Sequence, residues 1–290
     1  MEILPETFIG ADGYHDRMTA VNRCWMVPFA YGLIPLHDFE IKYAIHNNSL
    51  TLEKISCMIM DCEGNVLHLT QGTTVPLPST AQGTYYLTVS CGDFNHIEKN
   101  GVPYLEQKYK YQIINLLNPN SPSLFPLMKL HAGNGEWEVL DFIPPCCTVS
   151  THPLLTDLTH QCGSLLEKIL TLVEKNGNED ACYQIGSLLV EMSDSVRSDT
   201  PSILITRLKK AVFILKTKHL LDEEDTAILS SAEEFVWHEY NPNLLFETLQ
   251  NAIAIIHAAV AFLQRTKPEP APVVEKPKSE PEEEEFTYML

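Results

Sequence analysis

Residues 124–158, LFPLMKLHAGNGEWEVLDFIPPCCTVSTHPLLTDL, mark the point where the chain changes character. Apolar and polar residues alternate on either side of Gly133-Asn134-Gly135, with Leu127 and Leu130 leading in and Trp137, Val139 and Phe142 leading out. That pattern predicts a β-hairpin closed by a tight turn. Pro144-Pro145 then stops the sheet, because neither ring nitrogen can donate to a ladder, and forces an extended connector. Thr151-His152-Pro153 offers a cap and a first-turn proline for a long helix. The stretch reads as a rigid joint, with sheet before it and helix after.

Upstream of the joint the period is two. Ile41, Tyr43 and Ile45 alternate with Glu40, Lys42 and Ala44, and Ile55 to Met60 form an apolar run bounded by Asp61 and Gly64. Tyr85, Leu87, Val89 and Cys91 alternate, as do Tyr109, Tyr111 and Ile113, with a turn signal at Asn100-Gly101. Short strands at regular spacing predict an antiparallel β-sandwich or barrel. Prolines 76, 78, 119, 122 and 126 fall where loops or edge strands tolerate a missing donor.

Downstream the period becomes 3.6. Leu155, Leu158, Cys162, Leu165, Ile169 and Leu172 step by three and four, followed by Cys182, Ile185, Leu189, Met192 and Val196, and by Ile205, Leu208, Val212, Leu215 and His219. Asn176-Gly177, Thr200-Pro201 and Asn241-Pro242 punctuate these stripes, and Asp222-Glu223-Glu224-Asp225 supplies an acidic helix start. A last helix over about 243–265 carries Leu249, Ile253, Ile256, Val260 and Leu263 with alanines between them. The expectation is a bundle of about five helices, in which Leu158, Leu165, Ile169 and Leu172 serve bundle or oligomer packing. Residues 267–290, with seven glutamates against three lysines and frequent prolines, have no period and read as a disordered acidic tail. The tail ends in Phe286-Thr287-Tyr288-Met289-Leu290, which is either a plain terminus or a short docking motif on a tether. The fold class is therefore α+β and multidomain: residues 1–38 as an N-terminal arm and short helix, 39–150 as the β-sandwich, 151–266 as the helical bundle and 267–290 as the tail.

Composition narrows the function. With 20 Lys and Arg against 38 Asp and Glu, the formal charge is −18, which excludes a nucleic-acid binder and disfavours an anionic membrane surface. The start MEILPETFIG has no basic region followed by a long apolar run, and no stretch reads as a membrane span. The expected location is the cytoplasm, where the eight cysteines would be reduced and would mostly pack as small hydrophobes. No phosphate loop, His-Glu-x-x-His, Gly-x-Ser-x-Gly or calcium loop is present. The best chemical candidate is Cys146-Cys147 with His152 downstream and His131 upstream, yet adjacent cysteines ligate one tetrahedral metal poorly. No catalytic residue, metal ligand or cofactor is assigned. In the arm, Phe8, Ile9, Tyr14 and Trp25 lie outside the periodic core pattern and are candidates for an interface.

The joint also carries a family resemblance. A leucine-rich strand, a short glycine turn, Trp137, an acidic residue, Phe142-Ile143-Pro144-Pro145 and then Pro153-Leu154-Leu155 opening a helix resemble the shoulder-to-neck junction of TssK, the trimeric baseplate protein of the type VI secretion system, a contractile injection system. A second match lies upstream, where His15-Asp16-Arg17 lead into a run ending in Phe29-Ala30-Tyr31-Gly32-Leu33-Ile34-Pro35-Leu36. The resemblance covers roughly residues 1 to 265. It implies a non-enzymatic adaptor in which the sandwich is a shoulder, the helices are a neck and three chains associate. It also implies that the N-terminal segment faces the baseplate wedge of TssF, TssG and TssE. In the family a C-terminal head reaches the membrane complex; here a short form lacking it is expected, with the tail residues Phe286, Tyr288, Met289 and Leu290 as the available link. The alternative from another class is a cytosolic enzyme or ligand-binding protein with a site in the sandwich or at Cys146-Cys147.

Overall fold

The computed structural model describes residues 18–19, 31–35, 39–46, 48–99, 102–115, 124–193 and 199–266. Apart from residues 18–19, which are helical, the strands come first and the helices afterwards, an α+β arrangement with antiparallel sheets. The first sheet is organised by β3 (Ser49–Met60). Its N-terminal half pairs with β2 (Glu40–His46) and β5 (Thr73–Pro76), and its C-terminal half pairs with β1 (Gly32–Leu33) and β4 (Val66–Leu69). Four partners on one strand require apolar residues along its length, and Leu50, Leu52, Ile55, Cys57 and Ile59 are all buried. A bulge between Lys42 and Tyr43 breaks the alternation of β2, so Tyr43 is exposed rather than turned inward with Ile41.

The second sheet runs in the order β7 (Val102–Ile114), β6 (Gly83–Lys99), β8 (Phe125–Gly133), β9 (Glu136–Leu140). β8 covers β6 only from Gly83 to Val89, while β7 accompanies it out to Lys99. The hairpin of β8 and β9 closes through Asn134 at φ 54° and Gly135 at φ 83°, the pair of positive values that a two-residue turn of the primed type needs. Trp137 packs against Tyr85 with ring centroids 5.1 Å apart. Between the two sheets, the His68 N–H donates to the Tyr109 hydroxyl at 3.1 Å.

Five α-helices follow among the described residues: α1 (Pro153–Lys175), α2 (Glu179–Ser193), α3 (Pro201–Thr217), α4 (Thr226–Trp237) and α5 (Leu245–Arg265). α1 opens with proline at its first position, but the residue before it, His152, is the cap and makes no side-chain capping bond. Thr151, expected to be that cap, lies in a short 3₁₀ turn, where its hydroxyl shares a hydrogen bond with Thr148 at 2.8 Å. The acidic start of α4 behaves as its sequence implies, with the Asp225 carboxylate accepting from the Ile228 N–H at 3.1 Å. His219 is not on the α3 stripe. It follows the end of the helix at φ 53°, exposed, with its Nδ1 2.6 Å from Glu223.

α5 packs on α1, α3 and α4, burying Leu249, Ala252, Ile256, Ala259 and Leu263. Together with the preceding turn, Pro242–Arg265, it is long and apolar enough to cross a membrane by length and composition, with 44% of its most apolar window buried in the chain. The sequence reading expected no such stretch, because Glu247, Gln250, Asn251 and His257 interrupt the apolar run. One cluster of buried apolar side chains extends from Leu33 in β1 through the sheets and the joint to Leu263 in α5. An ion pair between Lys129 on β8 and Glu247 on α5 ties sheet to helix a second time.

The turn from β3 to β4 depends on Asp61, which is only 4% exposed. Its Oδ1 accepts from the Glu63 and Asn65 N–H groups, each at 2.9 Å, and its Oδ2 accepts from the Asn65 amide at 3.0 Å. Asp61→Ala strands these donors and is expected to cost about 2–4 kcal/mol in urea unfolding, with Asp61→Asn closer to wild type because its amide oxygen still accepts.

Candidate functional site

The joint is where the described residues assemble into something more specific than a core. Phe142, Ile143, Pro144, Pro145 and Cys146 are all buried. The prolines end the antiparallel ladder as expected, but the connector does not leave the sheet. It runs beside β1 and forms a parallel bridge between Leu33 and Cys146. The Leu33 N–H donates to the Pro145 carbonyl at 2.8 Å and the Cys147 N–H donates to the Leu33 carbonyl at 2.9 Å, while the Ile34 N–H reaches back to Met58 of β3 at 2.9 Å. A proline cannot donate, yet its carbonyl can accept, and that is the use made of Pro145.

Gly32 makes this docking possible. A Cβ at that position would lie 2.6–2.8 Å from the backbone of Cys146, and its φ of +145° is one that L side chains rarely adopt. Tyr31, beside it, packs edge-on against Phe125 with centroids 5.4 Å apart. Burial is the first cause, followed by the nearby Cys62 and Asp61, that raises the Tyr31 hydroxyl pKa well above its ordinary value and keeps it protonated. The two sequence matches described above, Tyr31-Gly32-Leu33 and Phe142-Ile143-Pro144-Pro145, are therefore neighbours in space, joined backbone to backbone.

On the helical side, the Val149 N–H donates to the Asp199 carbonyl at 2.9 Å, and the Asp199 carboxylate pairs with Arg207 of α3. A cavity of about 50 Å³ lies between Tyr31, Cys146, Pro201 and Tyr240. It is too small for a metabolite.

The chemistry of this region is that of a packed joint. Cys146 is buried, its Sγ–H donates to the Pro144 carbonyl at 3.1 Å, and burial pushes its thiol well above the ordinary range. Burial also raises Cys147 to about 11. Neither thiol is a thiolate at neutral pH, which is the form a nucleophile or metal ligand requires. His152 is 8% exposed and lies against Phe39, ring centroids 4.7 Å apart; its Nδ1 is buried without a hydrogen-bond partner among the described residues. Burial lowers its pKa to about 4, so it is neutral near pH 7. His131 is exposed and sits close to the hairpin turn, opposite Glu138 in the register of β8 and β9. No group of three or more His, Cys, Asp or Glu that could hold a metal occurs among the described residues.

The other predicted positions separate into three groups. Leu158, Leu165 and Ile169 are buried inside the chain and Leu172 is partly buried, so intrachain packing absorbs the stripe that also read as a possible oligomer contact. Phe8, Ile9, Tyr14 and Trp25, and likewise Phe286, Tyr288, Met289 and Leu290, lie outside the described residues. Cys62 and Cys91 are exposed and so do not pack as small hydrophobes.

Two features escaped the sequence reading. The ion pair of Lys129 and Glu247 joins residues 118 apart, for which no local signal exists. The apolar residues on the outer side of α2 and α3 also escaped it, although their spacing is a local signal. Tyr183 and Val190 are seven apart on α2, opposite the buried Ile185, Leu188 and Met192, and are 78% and 60% exposed; Phe213 on α3 is 50% exposed. Ion pairs of Lys210 with Glu191 at 2.8 Å and of Lys218 with Asp180 hold these helices side by side.

No family model matches the sequence, and no curated protein does. Solved structures do. A chain of the type VI secretion system TssK-TssF-TssG baseplate subcomplex, determined by cryo-electron microscopy, superposes with a TM-score of 0.60 over 90% of this chain and 96% of its own, at 12% identity. The chain has a TssK-like fold. A crystal structure of TssK gives a TM-score of 0.63 over 90% of this chain and 67% of its own at 11% identity. TssK from the EAEC type VI secretion system, solved in complex with a nanobody, gives 0.60 over 91% and 99% at 14% identity. At these identities the TssK likeness is one of fold, and it extends over both the sheets and the helices.

Gly32→Ala should be the most damaging single-methyl change at the joint. The backbone clash and the unfavourable φ together predict a loss on the order of 3 kcal/mol, read as a fall in the urea midpoint. His152 makes stability depend on pH. Its folded pKa of about 4 lies below the unfolded value, so the unfolded state binds the extra proton and stability is lost as pH falls from about 6.5 toward 4. The expected slope from this group is about 1.4 kcal/mol per pH unit in that window, and His152→Asn should remove it whatever its effect on stability at pH 8.

Proposed function

We propose that this chain is a non-enzymatic structural subunit of a type VI secretion baseplate. The observation that carries the reading is the TssK-like fold over 90% of the chain. In this reading residues 39–150 form a shoulder-like β-sandwich, residues 151–266 a neck-like bundle, 1–38 an arm and 267–290 a tail. Three copies associate in the cytoplasm and bind a wedge of TssF, TssG and TssE type. The subcomplex among the matching structures contains TssK with TssF and TssG, which supports two of those partners.

Self-association needs a surface the chain does not use internally. Tyr183, Val190 and Phe213 supply it, since large exposed apolar groups on adjoining helices favour contact with another protein surface. Wedge binding falls to Phe8, Ile9, Tyr14 and Trp25 of the arm, and contact toward the membrane complex to Phe286, Tyr288, Met289 and Leu290 of the tail. The enzyme or ligand-binding reading gains no support from Cys146 and Cys147, whose thiols stay protonated at neutral pH.

Co-expression of the full chain with the TssF- and TssG-type proteins of the same organism tests the proposal. The expected result is co-purification of a complex holding three copies of this chain, by mass measurement. Deleting residues 1–12 should abolish capture of the wedge proteins and leave the trimer and its thermal midpoint in place. Tyr183→Glu with Phe213→Glu should instead give a folded monomer. A wild-type monomer at micromolar concentration, or failure to capture either wedge protein, overturns the reading.

A further inference from the structure

The outer faces of α2 and α3 form one surface of little charge. On α2 the exposed positions between Asp180 and Glu191 are Tyr183, Ser187 and Val190. On α3 Phe213 shares its exposed stripe with Ile203, Thr206 and Thr217, and Lys210 is the stripe's one charge. The two stripes lie side by side, because Asp180 pairs with Lys218 and Glu191 with Lys210 across the helices. α3 is also the one of the five helices without an acidic residue: it holds Arg207, Lys209, Lys210 and Lys216, and neither Asp nor Glu. In a chain with a formal charge of −18 that is an unusual surface, apolar and edged by cations.

The chain leaves α5 beside this surface. Arg265, the last residue of α5, reaches the Asp222 carboxylate at 3.6 Å. Asp222 closely follows Lys218, and Lys218 pairs with Asp180, one turn before Tyr183. The sequence beyond α5 then offers what the surface lacks. Five glutamates fall within residues 280–285, and Phe286, Tyr288, Met289 and Leu290 come directly after them. The nineteen residues from 267 to 285 separate this segment from the end of α5. A chain of that length has a root-mean-square span of about 25 Å, against about 10 Å along α2 from Tyr183 to Val190. Such a tether holds its end at an effective concentration on the order of 1 mM, so a contact too weak to persist between separate molecules is occupied within one chain. A second copy of the surface brings apolar side chains but also a second acid-free helix, whereas the acidic and apolar segment matches both parts. The exposed pair of Lys210 and Glu191 is no obstacle, since pairs of this kind contribute about 0–1 kcal/mol and exchange readily.

We propose that residues 286–290 dock on the outer face of α2 and α3 of their own chain, over Tyr183, Val190 and Phe213 with the preceding glutamates beside Lys210, and compete there with a second copy of the chain. The docking is a property of one chain; the competition rests on the self-association proposed above. A segment held in this way restrains assembly at low concentration and is displaced as copies accumulate. Its own apolar residues become available to another protein only once it has left the helices.

The test replaces Tyr288 with the photocrosslinker p-benzoylphenylalanine in the full chain, irradiates it at nanomolar concentration, where contacts within one chain dominate, and maps the products by mass. Crosslinks within one chain from position 288 to peptides of α2 and α3 are expected. Tyr183→Glu with Phe213→Glu should lower their yield about tenfold, as removal of the apolar contact predicts. Both positions are exposed, so that variant should keep the wild-type circular dichroism spectrum. Sedimentation of the full-length variant Phe286→Ser, Tyr288→Ser, Met289→Ser reads the competition, with half-assembly expected at a several-fold lower concentration than in the wild type. No crosslink, crosslinks that fall elsewhere or only between chains, or a yield unchanged by the two glutamates overturns the docking. Where the wild type assembles, an unchanged half-assembly concentration overturns the competition. A wild type that stays monomeric at micromolar concentration while the crosslink within the chain forms overturns the self-association reading and supports the docking.

Discussion

The structure depends on one close approach, that of the backbone of Gly32 to the backbone of Cys146. With no side chain at position 32, β1 lies against the connector closely enough for Leu33 to donate to Pro145 and accept from Cys147, at 2.8 and 2.9 Å. β1 is itself paired with β3, the strand that touches every other strand of the first sheet. The connector is thereby anchored to the centre of the sheet rather than strung between two independent parts. Backbone polar groups that would be orphaned in a buried, proline-containing segment are satisfied by this arrangement.

Consequences follow on both sides of the anchor. The connector carries Ile143 and Cys146 into the core beside the sheets, and Val149 and then Leu155 of α1 continue it on the helix side, so one buried cluster spans the chain. The ion pair of Lys129 and Glu247 and the contact of His152 with Phe39 add ties of different chemistry. An interior joint of this kind also accounts for the behaviour of its titratable groups. Low-dielectric surroundings disfavour charge, so Cys146, Cys147 and Tyr240 are shifted up and His152 down, all toward the neutral form.

What remains on the outside is uneven. The formal charge is −18, yet the outer faces of α2 and α3 present Tyr183, Val190 and Phe213 in place of charge. A cleft on another side of the helices gathers carboxylates around aromatic walls. Both surfaces belong to the helical half of the chain.

Much of this order was legible in the sequence, because the signals are local. The change of period from two to 3.6 at residues 140–153, the turn at Asn134-Gly135, the proline at the start of α1 and the aspartate cap of α4 each follow from a few adjacent residues. The resemblance to TssK was legible for the same reason, in two short motifs read separately. Tertiary structure decided what those motifs do together. That Gly32 must lack a side chain follows from a backbone more than a hundred positions away, and that Glu247 faces Lys129 follows from how α5 lies over β8. It also decided which apolar residues are left for other proteins, since periodicity names an apolar face and only packing shows whether the same chain covers it. Leu158, Leu165 and Ile169 are covered and Tyr183 and Phe213 are not, because helices bury whichever face their neighbours reach.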